Sequence, residues 1–231
     1  MLIIADLGKT HFADVFKLQK TLVSKRRSGI ILLTEHYPVI TTGIRKDKNI
    51  LLKDAEVLEK SGIELFAANR GGGATCHNVG QLVVYPVIEL SRHQFGIRDY
   101  ISALEKIGRK LFYSFGLKTS KRMGYPGLWK MEKKIASIGV RINSGLAYHG
   151  IALNLCNDLD IFNNIIPCGL EGVEVTSLEK EISGSVDFNE AKRRAAEILG
   201  QTFNEEYKCT QKTVSELAED ENISLQQLLQ N

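Results

Sequence analysis

The chain has 231 residues, 43% of them hydrophobic and 25% charged, with a formal net charge of +3. The charge is too small for a nucleic-acid-binding face, no run is long and apolar enough to span a membrane, and Met1 to Asp6 lacks a signal peptide's basic-then-apolar pattern. A cytoplasmic protein of one domain over 1–231 is therefore expected, with a core over 1–185 and a helical C-terminal part over 186–231, since no Pro/Ser/Gly-rich linker divides the chain.

In chain order, Leu2 to Ala5 reads as a short strand. Phe12 to Lys25 places Phe12, Val15, Phe16, Leu18, Leu22 and Val23 mostly on one helical face. Gly29 ends that helix, and Ile30 to Leu33 is an apolar run typical of a buried strand. A short helix over 49–61, a strand over Ile63 to Ala67, a Gly-rich turn at 71–73 and a strand over Gln81 to Ile88 follow. The clearest helix is 97–115, where Ile97, Tyr100, Ile101, Leu104, Ile107, Leu111, Phe112 and Phe115 recur at helical steps before Gly116. Short strands are expected around 127–130, 134–142 and 148–155, with Asn143-Ser144-Gly145 as a turn. A loop carries Pro167-Cys168-Gly169, and a helix over 188–201 and a polar helical tail over 213–230 close the chain. Helices scattered among hairpin-spaced strands predict an α+β fold with a mixed, largely antiparallel β-sheet flanked by helices.

Four cysteines, Cys76, Cys156, Cys168 and Cys209, form no C-x-x-C pair and no zinc-like grouping with histidine, so free thiols are expected and no metal site. Cys156 ends an apolar strand and Cys209 lies in a polar stretch without a motif. Cys168 sits between Pro167 and Gly169, which hold a loop rigid and bring its backbone close to a ligand. Cys76 adjoins His77 in the segment Arg70-Gly71-Gly72-Gly73-Ala74-Thr75-Cys76-His77, where the glycines permit close backbone approach. That segment matches neither phosphate-binding glycine spacing, so a tight turn explains it equally well. Lys134 opens the strand-like run to Gly139, a position at which lysines are usually just solvated. His36, His77 and His149 adjoin expected strands at no metal-binding spacing. The basic clusters Lys25-Arg26-Arg27, Lys130 to Lys134 and Lys192-Arg193-Arg194 read as solvated faces.

Four segments together resemble the octanoyl (lipoyl) transferase family of the lipoate–protein ligase/biotin–protein ligase superfamily. Thr34-Glu35-His36-Tyr37-Pro38-Val39-Ile40-Thr41-Thr42-Gly43 is similar to its E-H-x-P-V-x-T-x-G stretch. Arg70-Gly71-Gly72 through Thr75, with His77 and Gly80-Gln81, resembles its R-G-G-x-x-T-Y-H-G-P-G-Q loop. Lys134-Ile135-Ala136-Ser137-Ile138-Gly139 and His149-Gly150-Ile151-Ala152-Leu153-Asn154 resemble its K-I-A-S-x-G and F-H-G-x-A-L-N pair. Pro167-Cys168-Gly169 with Thr176-Ser177 resembles its P-C-G…T-S element. The likeness runs from about Asp6 to about Leu178, roughly three-quarters of the chain, with the four segments in the family's order.

The resemblance implies the superfamily's catalytic-domain fold and an acyltransferase with Cys168 as nucleophile and Lys134 as the residue that activates it. Arg70, Gly71, Gly72, Gly73, Ala74, Thr75, Cys76, His77, Ser137, Ile138, Gly139, Gly150, Ile151 and Ala152 would form the acyl site, with His149 in support. Octanoyl-acyl carrier protein would be the donor. Lipoyl domains of 2-oxoacid dehydrogenase E2 subunits or glycine cleavage H protein would be the acceptors. No cofactor and no metal is implied. Two departures stand out: the family's Tyr before the loop histidine is Cys76, and its Gly-Pro after it is Asn78-Val79. The stretch Gly71-Gly72-Gly73-Ala74 also drifts toward lipoate–protein ligases. An ATP-dependent lipoate–protein ligase is thus the alternative enzyme, although it needs no nucleophilic cysteine. A non-catalytic acyl- or lipoyl-domain-binding module is the third possibility.

Overall fold

The computed structural model describes residues 1–224. Their elements are β1 (Leu2–Thr10), α1 (Phe12–Ser24), β2 (Ile30–His36), β3 (Val39–Thr42), α2 (Ala55–Lys60), β4 (Glu64–Ala67), β5 (Thr75–His77), β6 (Gln81–Glu89) and α3 (Ile97–Ser114). They continue with β7 (Ser120–Arg122), β8 (Tyr125–Lys130), β9 (Lys133–Asn143), β10 (Leu146–Asn154), α4 (Leu178–Ile182), α5 (Phe188–Phe203), β11 (Tyr207–Gln211) and α6 (Val214–Asp220). Eight strands form one sheet in the order β11-β1-β2-β6-β10-β9-β8-β7, and three form a small second sheet, β4-β3-β5. Parallel pairing is confined to β11–β1, β1–β2 and β3–β4; every other pair is antiparallel. The fold is the expected α+β, with the strands divided between two sheets.

Both faces of the large sheet are covered, which is why β10 is buried at every position and β2 at nearly every one. On one face α3 and α5 bring Tyr100, Leu104, Leu111, Phe112, Ala195 and Leu199 against Leu82, Val84, Ile151 and Leu153. On the other, α1 brings Phe12, Val15 and Phe16 against Val83, Tyr85 and Ala152. Each alternation in β6 and β10 therefore serves a different helix. Capping fixes where two of the helices begin. The Gly96 amide donates to the Asp99 carboxylate at the start of α3, and Asp187 accepts from the amides of Asn189 and Glu190 at the start of α5.

Several boundaries differ from the sequence expectation. The helix expected over 49–61 forms only over Ala55–Lys60, because Leu51 bridges to Ile165 and the Leu52 amide donates to the Asn164 carbonyl. That tie draws the segment after β3 onto the loop leading to Cys168. The strands β3, β5, β7 and β11 were not expected. β11, Tyr-Lys-Cys-Thr-Gln, is a mostly exposed edge strand, so it has no buried face to impose an apolar alternation. Of the expected tail helix, α6 occupies 214–220, and 225–230 lie outside the described residues.

Gly108 sets how closely α3 lies on the sheet. A Cβ there would stand 2.7 Å from Leu128 Cδ1 and 2.9 Å from Leu153 Cδ2. Gly108→Val is expected to destabilise the fold by about 1–3 kcal/mol through overpacking, although it raises helix propensity. Denaturant unfolding monitored by Trp129 fluorescence measures the change.

Candidate active site

Lys134 Nζ lies 3.1 Å from Cys168 Sγ, although the two residues are 34 positions apart. Lys134 is almost wholly buried, at 3% exposure. It is the second residue of β9, and the β8–β9 register shifts directly opposite it, between Leu128 and Trp129. Such irregularities re-aim a side chain out of the regular pleat. The lysine stem passes Gly127, where a Cβ would stand 3.2 Å from Lys134 Cε and 2.3 Å from the Ala136 carbonyl oxygen. Nζ is 5.6 Å from the centroid of the buried Trp129 ring, close enough for a cation–π contact. Residues 174–176 run beside Lys134 as an added strand. The Lys134 amide donates to the Glu174 carbonyl at 2.8 Å, and the Thr176 amide donates to the Lys134 carbonyl at 2.9 Å.

Cys168 occupies the left-handed region, with φ 55° and ψ 19°, and Gly169 follows at φ 68°. A non-glycine residue there stores strain, which its surroundings must hold. The Cys168 amide donates to the Ala74 carbonyl at 3.1 Å, and the Gly169 amide to that of Ile166 at 3.1 Å. The thiol loop is thereby anchored on the glycine-rich segment.

Arg70 organises that segment. Its guanidinium donates to the carbonyls of Gly71 and Gly73 and to both the carbonyl and the hydroxyl of Thr41, at 2.7–3.2 Å. It is buried with no carboxylate partner among the described residues. Burial pushes its pKa down to about 10, opposed chiefly by the neighbouring Cys168 thiol, so it stays cationic near neutral pH. Two glycines admit this packing: a Cβ on Gly43 would stand 3.0 Å from Arg70 Nη1, and one on Gly139 2.9 Å from Arg70 Cδ.

Two cavities meet at Cys168. The inner one is a slot of about 30 Å³ between the large sheet and the start of α1. It is therefore narrow. Its walls include Arg70, Gly72, Thr75, His77, Ser137, Ile138, Gly139, His149, Gly150, Ile151 and Ala152, so the glycine-rich segment and the β9 and β10 segments converge there with Cys168. The outer one is a wider vestibule of about 220 Å³, bordered by Gly71, Gly72, Gly73, Lys134, the exposed Arg45 and the half-buried Lys48. Ala74 and Cys76 line neither cavity. Cys76 is fully buried among Ile40, Leu58 and Ile161; its Sγ faces the Ile161 carbonyl at 3.4 Å, and burial pushes its thiol pKa up. Sequence reasoning missed Phe12, Val83 and Tyr85 in the slot, and Arg45, Lys48 and Tyr125 in the vestibule. The first three look like ordinary core residues in sequence, and nothing local distinguishes them.

Two buried histidines, His77 and His149, line the slot and a third, His36, backs it behind Tyr85, and their partners fix the tautomers. The Gln81 amide nitrogen donates to Cys76 O and Asn154 Oδ1, so its Oε1 accepts from His77 Nδ1 at 2.7 Å. His36 Nδ1 donates to Thr10, leaving Nε2 to accept from the Tyr85 hydroxyl at 2.9 Å. Asn69 donates to the Tyr148 hydroxyl, so its Oδ1 accepts from His149 Nε2 at 3.0 Å. His149 sits within β10 at φ 58°, where the β6 pairing lapses, and its amide donates instead to Gln19 Oε1 at 2.7 Å. Burial lowers all three pKa values, His36 to about 4 and His149 to about 3. The rings are neutral near neutral pH.

Residues 11–200 match the family model of the lipoyl protein ligase A/B catalytic domain. An octanoyltransferase of Desulfovibrio desulfuricans is 40% identical over 184 residues, which span 78% of this chain and 78% of that protein. An octanoyltransferase of Desulfotalea psychrophila is 37% identical over 212 residues, spanning 89% and 95%. Among solved structures, lipoate-protein ligase A bound with ATP shares the fold, with a TM-score of 0.77 over 95% of this chain and 94% of that one, at 17% identity.

The histidines also make stability depend on pH. Between about pH 6.5 and pH 4 the unfolded chain protonates rings that the fold keeps neutral. Stability is thus present above pH 6.5 and falls as pH drops toward 4, by about 1.4 kcal/mol per pH unit for each histidine. Urea unfolding at intervals over this range measures the slope. His36→Gln is expected to reduce it, whatever it does to stability at pH 7.

Proposed function

The chain belongs to the lipoyl protein ligase A/B catalytic-domain family and catalyses octanoyl or lipoyl transfer, and from that premise we propose that the acyl group travels as a thioester on Cys168. The observation that carries this reading is the 3.1 Å contact between Lys134 Nζ and Cys168 Sγ. A buried ammonium beside a sulfur stabilises the thiolate, the nucleophilic form. The cationic Arg70 behind the glycine-rich loop acts in the same direction.

The donor is octanoyl-acyl carrier protein, which reaches the thiol through the vestibule. The Cys168 thiolate attacks the thioester carbonyl to give a tetrahedral oxyanion. Collapse of that intermediate breaks the bond to the carrier's sulfur, which leaves as a thiol after taking a proton from Lys134. Cys168 now carries the octanoyl group, with the alkyl chain in the slot. The ε-amine of a lysine on a lipoyl domain, of a 2-oxoacid dehydrogenase E2 subunit or glycine cleavage H protein, then attacks the acyl carbon. Neutral Lys134 takes the amine's proton, the Cys168 thiolate departs, and an amide is released. The thioester supplies the energy of the amide bond, so no nucleotide is consumed. Among the described residues the amides of Gly72 and Gly73 donate to no protein acceptor. Both glycines border the vestibule with Cys168, so their free amides are available to the oxyanion. Neutral rings around the slot suit an alkyl chain, since none carries a charge that would have to be desolvated.

Incubation with octanoyl-acyl carrier protein, without ATP, is expected to add one octanoyl group to the intact mass. The adduct should be hydroxylamine-labile and absent from Cys168→Ser. Lys134→Ala is expected to slow transfer by roughly 10²-fold or more, and to slow alkylation of Cys168 by iodoacetamide near pH 7. An unchanged alkylation rate would remove the lysine's role in activating the thiol. ATP-dependent attachment of free lipoate with no adduct on the cysteine would overturn the thioester.

A further inference from the structure

The floor of the slot is built by neighbouring positions on three strands, and the strand register puts them in order. Ser137 on β9 lies opposite Ala152 on β10, which lies opposite Val83 on β6. In the adjacent row, Gly139 lies opposite Gly150, and the register that pairs Ile151 with Val84 sets Gly150 against Tyr85. From the Cys168 side inward, the two rows therefore run Ser–Ala–Val and Gly–Gly–Tyr. Side chains stay small across two strands and become large at the third.

We propose that Val83 and Tyr85 form a fixed end-stop that sets the length of the acyl chain this protein transfers. This rests on the reading above that the chain of the Cys168 thioester occupies the slot. Neighbouring strands are about 4.8 Å apart, so β9 to β6 spans about 9.6 Å, which is near the reach of an extended octanoyl chain. The wall at β6 is held from behind. The Tyr85 hydroxyl donates to His36 Nε2 at 2.9 Å, and His36 is tied to Thr10. Beside it, Phe12 stacks on His77 with ring centroids 5.8 Å apart and planes 14° apart, and Gln81 fixes His77. Tyr85, His36, His77 and Phe12 are all buried, so a longer chain would have to displace close-packed, hydrogen-bonded rings.

The glycine row cannot serve as an adjustable gauge. A Cβ on Gly150 would stand 2.1 Å from the Val84 carbonyl oxygen, and one on Gly139 would stand 2.9 Å from both Arg70 Cδ and the Gly71 carbonyl oxygen. Size can change in the other row, at Ala152 and Val83. Val83→Ala lowers the stop, whereas Ala152→Val raises the floor one strand earlier.

The test uses the full chain with hexanoyl-, octanoyl-, decanoyl- and dodecanoyl-acyl carrier protein presented separately, and reads the initial rate of acylation at Cys168 by intact mass. The unsubstituted protein should be fastest with octanoyl. Val83→Ala should raise the decanoyl-to-octanoyl rate ratio by roughly tenfold or more, and Ala152→Val should raise the hexanoyl-to-octanoyl ratio similarly. If one variant fails to fold, the other decides. A variant that slows every donor by a common factor would overturn the stop, and so would equal rates with all four donors in the unsubstituted protein; either result leaves the thioester intact. No acylation of Cys168 by any donor would remove both proposals.

Discussion

The site depends on one electrostatic constraint: two basic side chains, Lys134 and Arg70, are buried around a thiol, and among the described residues neither pairs with a carboxylate. Lys134 Nζ touches Cys168 Sγ at 3.1 Å, and the Arg70 guanidinium spends its hydrogen bonds on uncharged oxygens of Thr41, Gly71 and Gly73. Burying an ion costs several kcal/mol unless its hydrogen bonds and charge are compensated. Carbonyl dipoles meet that need for Arg70 while leaving its net positive field in place. Such a field favours an anion, and a thiolate or a tetrahedral oxyanion at Cys168 would supply it. A carboxylate at hydrogen-bonding distance would cancel the effect.

Much of the local irregularity in the chain serves to hold this arrangement. The β8–β9 register shift turns Lys134 inward, Gly127 leaves room for its stem, and the strand-like segment 174–176 locks its backbone. Cys168 lies in the left-handed region and donates its amide to the Ala74 carbonyl, which ties the thiol loop to the glycine-rich loop. His149 is left-handed within a strand, and Gln19 takes up the amide that β6 leaves unpaired. Backbone strain of this kind persists only where the surroundings over-determine it.

The two cavities divide the proposed chemistry by polarity. The vestibule, with Arg45 and Lys48 at its border, is open enough for a carrier's arm or a lysine side chain, and it meets the thiol from outside. The slot, closed on one side by Phe12 of α1 and lined by the neutral rings of His77 and His149, is the narrower of the two. Cys168 borders both, so donor and acceptor can approach from one side while the acyl chain stays on the other.

The sequence alone determined the α+β class, the long helices and most central strands, and it marked out the glycine-rich, β9, β10 and Pro-Cys-Gly segments that border the two cavities. It could do so because buried strands and amphipathic helices leave periodic apolar patterns, and because glycines at close backbone approaches tolerate no replacement. It did not reveal β11, whose exposed polar residues carry no such pattern, or that Leu51 would pair with Ile165 and shorten the helix before it. It also placed Cys76 in the acyl site, whereas the fold turns that thiol into a separate apolar cluster with Ile161. Above all, Lys134 in sequence is a lysine at a strand edge and Tyr85 a residue in an apolar run. Only the tertiary structure, through one bulge and one strand register, set the first against a thiol and the second at the end of a slot. Direction and distance between segments far apart in the chain are not written in any local pattern.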